Sequence, residues 1–142
     1  MEFHHGPCPT QPSLPPAGAG GQAVFVGHTR AESHPKHGAL RSLHYTAHEP
    51  LALAELARIE QHAIDTHGLL QVRVVHALGD VPVGEASVVI DVHAAHRVNA
   101  FAGCRAIIDA LKASAPIFKH ERWATGDTWA PGTPAPGASN AT

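Results

Sequence analysis

Apolar residues alternate with polar ones in several short runs of this chain, and they recur every three or four positions in two longer runs. The alternation predicts strands over residues 22–27, 39–47, 69–77 and 86–93, and a short extended segment at 117–121. The run ASVVIDVH is rich in β-branched residues, which favours a central strand. Residues 28–38 are predicted as a flexible connection, and residues 79–85 as a turn between neighbouring strands.

The two longer runs predict helices. The first begins at Pro50 and ends at Gly68, and its residues at a spacing of three and four are Leu53, Leu56, Ala57, Glu60, Ala63 and Ile64. The second covers about residues 95–114, and its mostly apolar face is expected to carry Val98, Phe101, Cys104, Arg105, Ile108 and Leu111. Pro116 prevents this helix from continuing. The order β-β-α-β-β-α-β predicts an α+β fold in which both helices cover one face of the sheet.

Length and composition favour one folded domain between two disordered ends. The chain has 142 residues, of which 44% are hydrophobic, and this is enough for a single core. Residues 1–21 and 130–142 are rich in Pro, Gly, Ala, Ser and Thr, so they bury too little apolar area to offset the entropy of ordering them. We therefore predict a domain over residues 22–129 with disordered tails on both sides.

Charge and hydropathy argue against several classes of protein. The formal net charge of −2 leaves no basic surface of the kind that nucleic-acid-binding proteins carry. No stretch approaches the ~20 apolar residues of a membrane span, and no secretory signal is recognised, so a cytoplasmic location is expected. Cys8 and Cys104 form neither a CxxC pair nor a disulfide framework, and Cys104 is predicted to be buried in the helix stripe.

The 13 histidines raise the question of a metal site. His34 and His37 have an HxxH spacing, as do His93 and His96, but no carboxylate or cysteine completes either set. The glycines match neither a dinucleotide-binding fingerprint nor a phosphate-binding loop. The sequence therefore predicts neither a metal ion nor a cofactor.

Cationic side chains are concentrated around the second predicted helix. His96 and Arg97 lie in its first turn, where free backbone N–H groups favour an anion; a phosphate site and a plain solvated helix start both remain open. Lys112 lies near its other end and Lys119 just beyond it. They are either structural or a converging pair, in which each cation disfavours the charge of the other. Arg30 follows a strand, where loop residues often bind substrate.

Three motifs in a fixed order carry more information than any one residue. The runs are AVFVGHTR, VRVVHALGDVPVGEASVVIDVHAAHR and AFAGCRAIIDALKASAPIFKHE. Together they resemble the large, catalytic subunit of molybdopterin synthase, over about residues 23–129. The resemblance implies an α/β hammerhead-type fold that forms a homodimer. It also implies that a small ubiquitin-like subunit binds at each outer end, giving a heterotetramer.

The resemblance further implies a reaction and the residues that perform it. In this family the small subunit presents its C-terminal Gly-Gly as a thiocarboxylate, and two sulfur transfers convert cyclic pyranopterin monophosphate into the dithiolene molybdopterin. By position, Lys112 and Lys119 match the catalytic lysines, and Arg30, His96 and Arg97 match the substrate-binding cations. A positively charged pocket suits a phosphate-bearing pterin that meets an anionic thiocarboxylate.

Two departures from the family pattern leave a second hypothesis open. The family usually reads His-Arg-x-Gly where this chain has His76, Ala77, Leu78 and Gly79, and the segment beyond Trp129 lacks the family's basic residues. The alternative to a sulfurtransferase is a binding module that keeps the groove for a ubiquitin-like tail without synthase activity. A histidine-rich metal-handling protein is a third hypothesis, and we expect no bound metal.

Overall fold

A computed structural model describes residues 1–130, which form a sheet of eight strands with two helices against one face. In chain order the elements are β1 (Glu2–His5), β2 (Gly21–His28), β3 (Ser33–His34), β4 (Gly38–Ala47), α1 (Glu49–His67), β5 (Leu69–Pro82), β6 (Ala86–Ala94), α2 (Arg97–Ser114), β7 (Ile117–Trp123) and β8 (Gly126–Trp129). The main strand order is β2-β6-β5-β4-β7-β8, while β1 pairs with β5 and β3 with β4. Every pairing except β1 with β5 is antiparallel, so the α+β prediction with a mostly antiparallel sheet is confirmed.

The helices end where the sequence places glycine and proline. α1 carries Pro50 in its first turn and stops at Gly68, whose positive φ of 64° lets its N–H donate to the carbonyl of Ile64 at 2.9 Å. α2 stops at Ser114, because the backbone is already extended at the residue before Pro116. Within residues 1–130, neither helix has the length and apolarity needed to cross a lipid bilayer.

Strand β6 lies at the centre of the core. It is hydrogen-bonded to β2 on one side and β5 on the other, and all 9 of its residues are buried. Ile90 and Val92 face the helices, whereas Val89 faces a second apolar cluster on the other side of the sheet. The prediction of a central strand is therefore confirmed, and both faces of the sheet are covered.

The buried face of α2 differs from the predicted one. Val98 and Phe101, which the sequence pattern placed on the apolar stripe, are 69% and 67% exposed. Cys104 and Leu111 are buried as predicted, and the rest of the face against the sheet is formed by Ala100, Gly103 and Ile107. A Cβ on Gly103 would lie 2.6 Å from Leu69, so the helix approaches the sheet more closely than bulky residues allow.

Strand β5 is longer than predicted, because its backbone bends without leaving the sheet. Its first part, up to His76, pairs with β6, and its last part, from Gly79 to Pro82, pairs with β4. Gly79 has a φ of +80° at this change of partner, a conformation that glycine adopts without strain. The predicted turn over residues 79–85 therefore begins only after Pro82, and residues 33–34 of the predicted flexible connection form strand β3.

The N-terminal segment lies on the sheet, so the prediction of disorder over residues 1–21 is corrected. Strand β1 pairs in parallel with β5, and the buried Cys8 donates its backbone N–H to the carbonyl of Ala86 at 2.9 Å. β1 extends the sheet beside β5, and the N-terminal amine of Met1 pairs with Glu60 of α1 at 3.0 Å, whereas Cys8 and Ser13 lie on the sheet face opposite the helices. The order of the segment comes from hydrogen bonds and contacts that composition does not reveal. The prediction for residues 130–142 lies, beyond Ala130, outside the described residues.

A buried polar network holds the N-terminal segment to β6. The carboxylate of Asp91, 1% exposed, accepts the backbone N–H of Ser13 at 2.6 Å and the amide N–H of Gln22 at 2.9 Å. The Ser13 hydroxyl accepts from Gln71 at 3.3 Å and shares a hydrogen bond of 3.0 Å with Nε2 of His93. Burial alone would raise the pKa of Asp91, but the bonds from Gln22 and Ser13 outweigh it and lower that pKa.

Replacing Ile107 by alanine tests the assigned face of α2. We expect the Ile107→Ala protein to lose about 2–5 kcal/mol of unfolding free energy, because a fully buried side chain leaves a cavity. The matched control is Val98→Ala on the same helix, which we expect to change the free energy by less than about 0.5 kcal/mol. Urea denaturation of both proteins measures the difference, and equal losses would contradict the assigned face.

Replacing Asp91 by asparagine tests the polar network. We expect a loss of about 1–3 kcal/mol at neutral pH, since one oxygen acceptor becomes an N–H donor that faces another donor. The folded pKa lies below the ordinary 3.8, so the carboxylate stabilises the fold above that pH and loses this effect as pH falls below it. The difference in unfolding free energy between the wild-type protein and Asp91→Asn should therefore decrease in acid.

Urea titrations at neutral pH and at about pH 3 measure this effect. The exposed Asp109, paired with Arg105, supplies the control Asp109→Asn, whose loss should stay below about 0.5 kcal/mol. A gap for Asp91→Asn that is independent of pH would rule out the network as its cause.

Candidate functional site

A cleft of about 980 Å³ opens where the C-terminal end of α2 meets the ends of β2 and β7. The floor comes from β4, which contributes Leu43 and Tyr45, and from His76 of β5. The end of α2 forms one wall, from Ile108 to Ala115. A cleft of this size can hold a small organic ligand.

The end of α2 brings the two lysines together. Past Ala115 the chain turns at once, because the N–H of Ile117 donates to the carbonyl of Ala115 at 2.8 Å. β7 then runs antiparallel to β4, and its register sets Lys119 beside Tyr45. Lys112 in the last turn of α2 and Lys119 on β7 therefore both line the cleft.

Arg30 lines the same cleft from the segment that follows β2. Its guanidinium donates to the carboxylate of Glu32 at 3.1 Å and its side chain is 84% exposed. The structure therefore brings together three of the five predicted site residues, namely Arg30, Lys112 and Lys119.

His96 and Arg97 do not line this cleft. They lie at the N-terminal end of α2, and Lys112 lies at its C-terminal end. Fifteen helical residues separate Arg97 from Lys112 along α2, which is about 22 Å at 1.5 Å per residue. Within one chain, the predicted set is therefore divided between the two ends of one helix.

Two carboxylates also line the cleft and reduce its positive charge. Glu32 is the partner of Arg30, and Glu121 lies two residues after Lys119 on β7. The hydroxyl of Thr128 donates to Glu121 at 2.9 Å and accepts the indole N–H of Trp123 at 2.8 Å. This chain of bonds fixes Glu121 to β8.

His76 and Tyr45 also line the cleft, although no sequence pattern singled them out as site residues. Burial lowers the pKa of His76; a hydrogen bond to the carbonyl of Ala77 opposes this, and the charges of Lys112 and Lys119 lower the pKa further. Burial raises the pKa of Tyr45, so its hydroxyl stays protonated. A histidine within the short apolar run VVHAL was the available signal, but 12 other histidines obscured it.

Within residues 1–130, the histidines at HxxH spacing have packing and hydrogen-bonding roles. The rings of His34 and His37 pack with centroids 4.6 Å apart, and Nδ1 of His34 accepts the backbone N–H groups of Lys36 and His37. His93 is buried in the polar network below Ser13. No group of three or more His, Cys, Asp or Glu side chains in this part of the chain is placed to hold a metal ion.

Comparison with known proteins shows which family this chain belongs to. Residues 10–114 match the model of a family described as MoaE protein. The molybdopterin synthase catalytic subunit of Oryza sativa subsp. indica is 40% identical over 111 residues, which cover 78% of this chain and 56% of that protein. The chain thus spans about half the length of this relative.

Two solved structures share the fold. Molybdopterin synthase from Staphylococcus aureus superposes with a TM-score of 0.75 at 28% identity, covering 81% of this chain and 82% of that chain. A complex of subunits 1 and 2 of the molybdopterin-converting factor from Helicobacter pylori 26695 gives a TM-score of 0.70 at 25% identity, covering 88% of this chain and 82% of that chain. These likenesses confirm the predicted family resemblance and fold class. Since the family model matches well over half of its residues, this chain belongs to the MoaE protein family.

Proposed function

We propose that this chain is the catalytic subunit of a molybdopterin synthase. It would transfer sulfur from the thiocarboxylate of a small ubiquitin-like subunit to cyclic pyranopterin monophosphate and so form the dithiolene. The observation that carries this proposal is the convergence of Arg30, Lys112 and Lys119 on one cleft. The names of the rice relative and of the Staphylococcus aureus structure support the same activity.

The three cations reduce the electrostatic repulsion between the two anionic reactants. A thiocarboxylate and a phosphate-bearing pterin repel each other, and positive charges gathered in a partly closed cleft lower the cost of bringing them together. Lys112 would lie nearest the terminal glycine of the partner and stabilise charge or move a proton during the attack of sulfur. Lys119 would assist beside it, and Arg30 would hold the substrate.

The partner of this chain would be the small subunit that carries the sulfur. The Helicobacter pylori structure is a complex of two subunits, which supports a two-subunit assembly here. A cleft of about 980 Å³ has room for a pterin and for an extended Gly-Gly tail. We place this reaction in the cytoplasm, where buried free thiols such as Cys8 and Cys104 remain reduced.

The missing arginine at position 77 does not argue against catalysis. Ala77 is fully buried in the apolar cluster below the sheet and does not line the cleft. Its side chain therefore fills core volume and takes no charge away from the site. The absence of an arginine at position 77 therefore does not support the alternative, a binding module without synthase activity.

His96 and Arg97 would serve the cleft from a second copy of the chain. They are too far from Lys112 within one chain, and the α2 surface near them exposes the apolar side chains of Val98 and Phe101. A homodimer that covers these residues would bring the start of α2 from one protomer toward the cleft of its partner. Both residues would then bind substrate, as the family resemblance implies.

Removing Lys112 tests the proposed activity. We expect Lys112→Ala to slow dithiolene formation by about 100-fold or more, because a preorganised charge at the reacting groups is lost. The assay mixes the purified protein with thiocarboxylated small subunit and cyclic pyranopterin monophosphate. Calorimetry should show unchanged affinity for the small subunit.

The matched control is Lys36→Ala, since Lys36 lies on the loop after β3 and does not line the cleft. It should keep the wild-type rate. Product formation by Lys112→Ala at the wild-type rate would overturn the assignment. A wild-type protein that binds the small subunit but makes no dithiolene would support the binding module instead.

Mixing two inactive variants tests the composite site. Lys112→Ala damages the cleft itself, whereas Arg97→Ala damages the group that a second copy would supply. After exchange of subunits half the dimers are mixed, and one of the two sites in each mixed dimer is intact, so about one quarter of the wild-type rate should return. Each variant alone should stay inactive.

No recovery on mixing would place Arg97 outside the cleft. The exchange itself is verified by native mass spectrometry of the mixture with one variant isotopically labelled. A mixture that has exchanged but remains as inactive as its parts contradicts the composite site.

A further inference from the structure

His76 occupies a fixed place on the floor of the cleft. It pairs in register with Phe3 of β1, and the two rings meet edge to face with centroids 6.5 Å apart. The Tyr45 ring also meets it edge to face, with centroids 4.9 Å apart. These two aromatic contacts restrict rotation of the imidazole.

The hydrogen bonds of His76 define its tautomer. Nδ1 lies 2.8 Å from the carbonyl oxygen of Ala77, and a carbonyl can only accept, so Nδ1 carries the hydrogen. In the neutral ring, Nε2 therefore holds the lone pair. Nε2 makes no hydrogen bond with residues 1–130, nor is it sealed in by protein, so the lone pair is accessible from the cleft.

The surroundings of His76 keep this lone pair free at neutral pH. Burial lowers the pKa of the imidazole below 6.5, the bond to Ala77 opposes this, and the positive charges of Lys112 and Lys119 lower it further. A lysine ammonium has donors but no acceptor. Three other possible proton acceptors line the cleft: His28 at the end of β2, Glu32, whose Oε1 accepts from Arg30, and Glu121, whose Oε1 accepts from Thr128. His76 differs from them because a hydrogen bond and contacts with two aromatic rings orient its imidazole.

We propose that His76 accepts the proton in the step that releases the partner's tail from the substrate. This inference rests on the proposed function, in which attack by the thiocarboxylate sulfur joins the acyl group of the tail to the substrate. For the sulfur to stay on the substrate, water must add to the acyl carbon. The water oxygen bonds to that carbon and its proton moves to Nε2 of His76. The acyl C–S bond then breaks with its electron pair on sulfur, and the tail leaves as a carboxylic acid that ionises in solvent.

The test uses the complete complex in a single turnover. Thiocarboxylated small subunit and cyclic pyranopterin monophosphate are mixed with the protein, and quenched samples are analysed by intact mass spectrometry and for dithiolene. In His76→Asn the amide can still donate to the carbonyl of Ala77, but the acceptor at the ε position is gone. We expect release to slow by about 100-fold or more, and the joined partner–substrate species to accumulate.

Two further measurements separate a proton acceptor from a structural residue. Free imidazole should restore part of the rate in His76→Ala, which leaves space for it. The wild-type rate of release should fall in acid with a midpoint below 6.5, and this dependence should disappear in His76→Asn. The wild-type pH profile needs no variant, so it tests the proposal even if both substitutions impair folding.

His44 supplies the matched control. It lies on β4, its Nδ1 bonds Asp80 at 2.8 Å, and it does not line the cleft, so His44→Asn should leave release unchanged. Wild-type rates in His76→Asn, slow release without the joined species, or a wild-type rate that does not fall in acid would each overturn the role of His76. If the proposed function itself is wrong, the wild-type protein will form neither the joined species nor dithiolene.

Discussion

The close packing of α2 on the sheet is the constraint on which the site depends. Gly103 presents no side chain to Leu69, so the helix can lie directly on the buried strands. The position of its last turn, and hence of Lys112, follows from that contact. Pro116 then ends the helix and sends the chain into β7, whose register with β4 determines the face on which Lys119 lies. A shift of one residue in that register would turn Lys119 away from the cleft.

The cleft carries a local excess of cations, and these cations come from different kinds of backbone segment. Lys112 and Lys119 come from regular elements, whereas Arg30 lies on an exposed segment and already has Glu32 as a partner. An exposed ion pair contributes little to stability, so Arg30 can exchange Glu32 for an anionic ligand at small cost. Lysines anchored in regular elements suit the reacting groups, and the adjustable arginine suits binding. This division agrees with the roles that we propose for them.

The sequence predicted the elements better than it predicted their faces. β-branched runs and the positions of Gly68 and Pro116 determine strands and helix ends locally, so the α+β order could be derived. The face of α2 could not, because a helix that packs closely turns small residues inward, and a hydrophobicity pattern favours Val98 and Phe101 over Gly103. Motif order predicted Arg30, Lys112 and Lys119 as site residues, but a motif carries no distances. The placement of His96 and Arg97 at the far end of the helix therefore required the structure.

The N-terminal segment shows why composition misled the prediction and why that matters for the site. Its prolines and glycines suggest disorder, yet β1 is held by backbone pairing with β5 and by ion pairs of Met1 with Glu60 and of Glu2 with Arg73. That pairing sets Phe3 against His76, and Asp91 and His93 hold the following residues through Ser13. The segment thus contributes, with Tyr45, to the aromatic surroundings of the imidazole. Because Phe3 limits rotation of the His76 ring, the direction of Nε2 depends on the N-terminal segment. Local sequence patterns predicted that segment to be a disordered tail outside the domain.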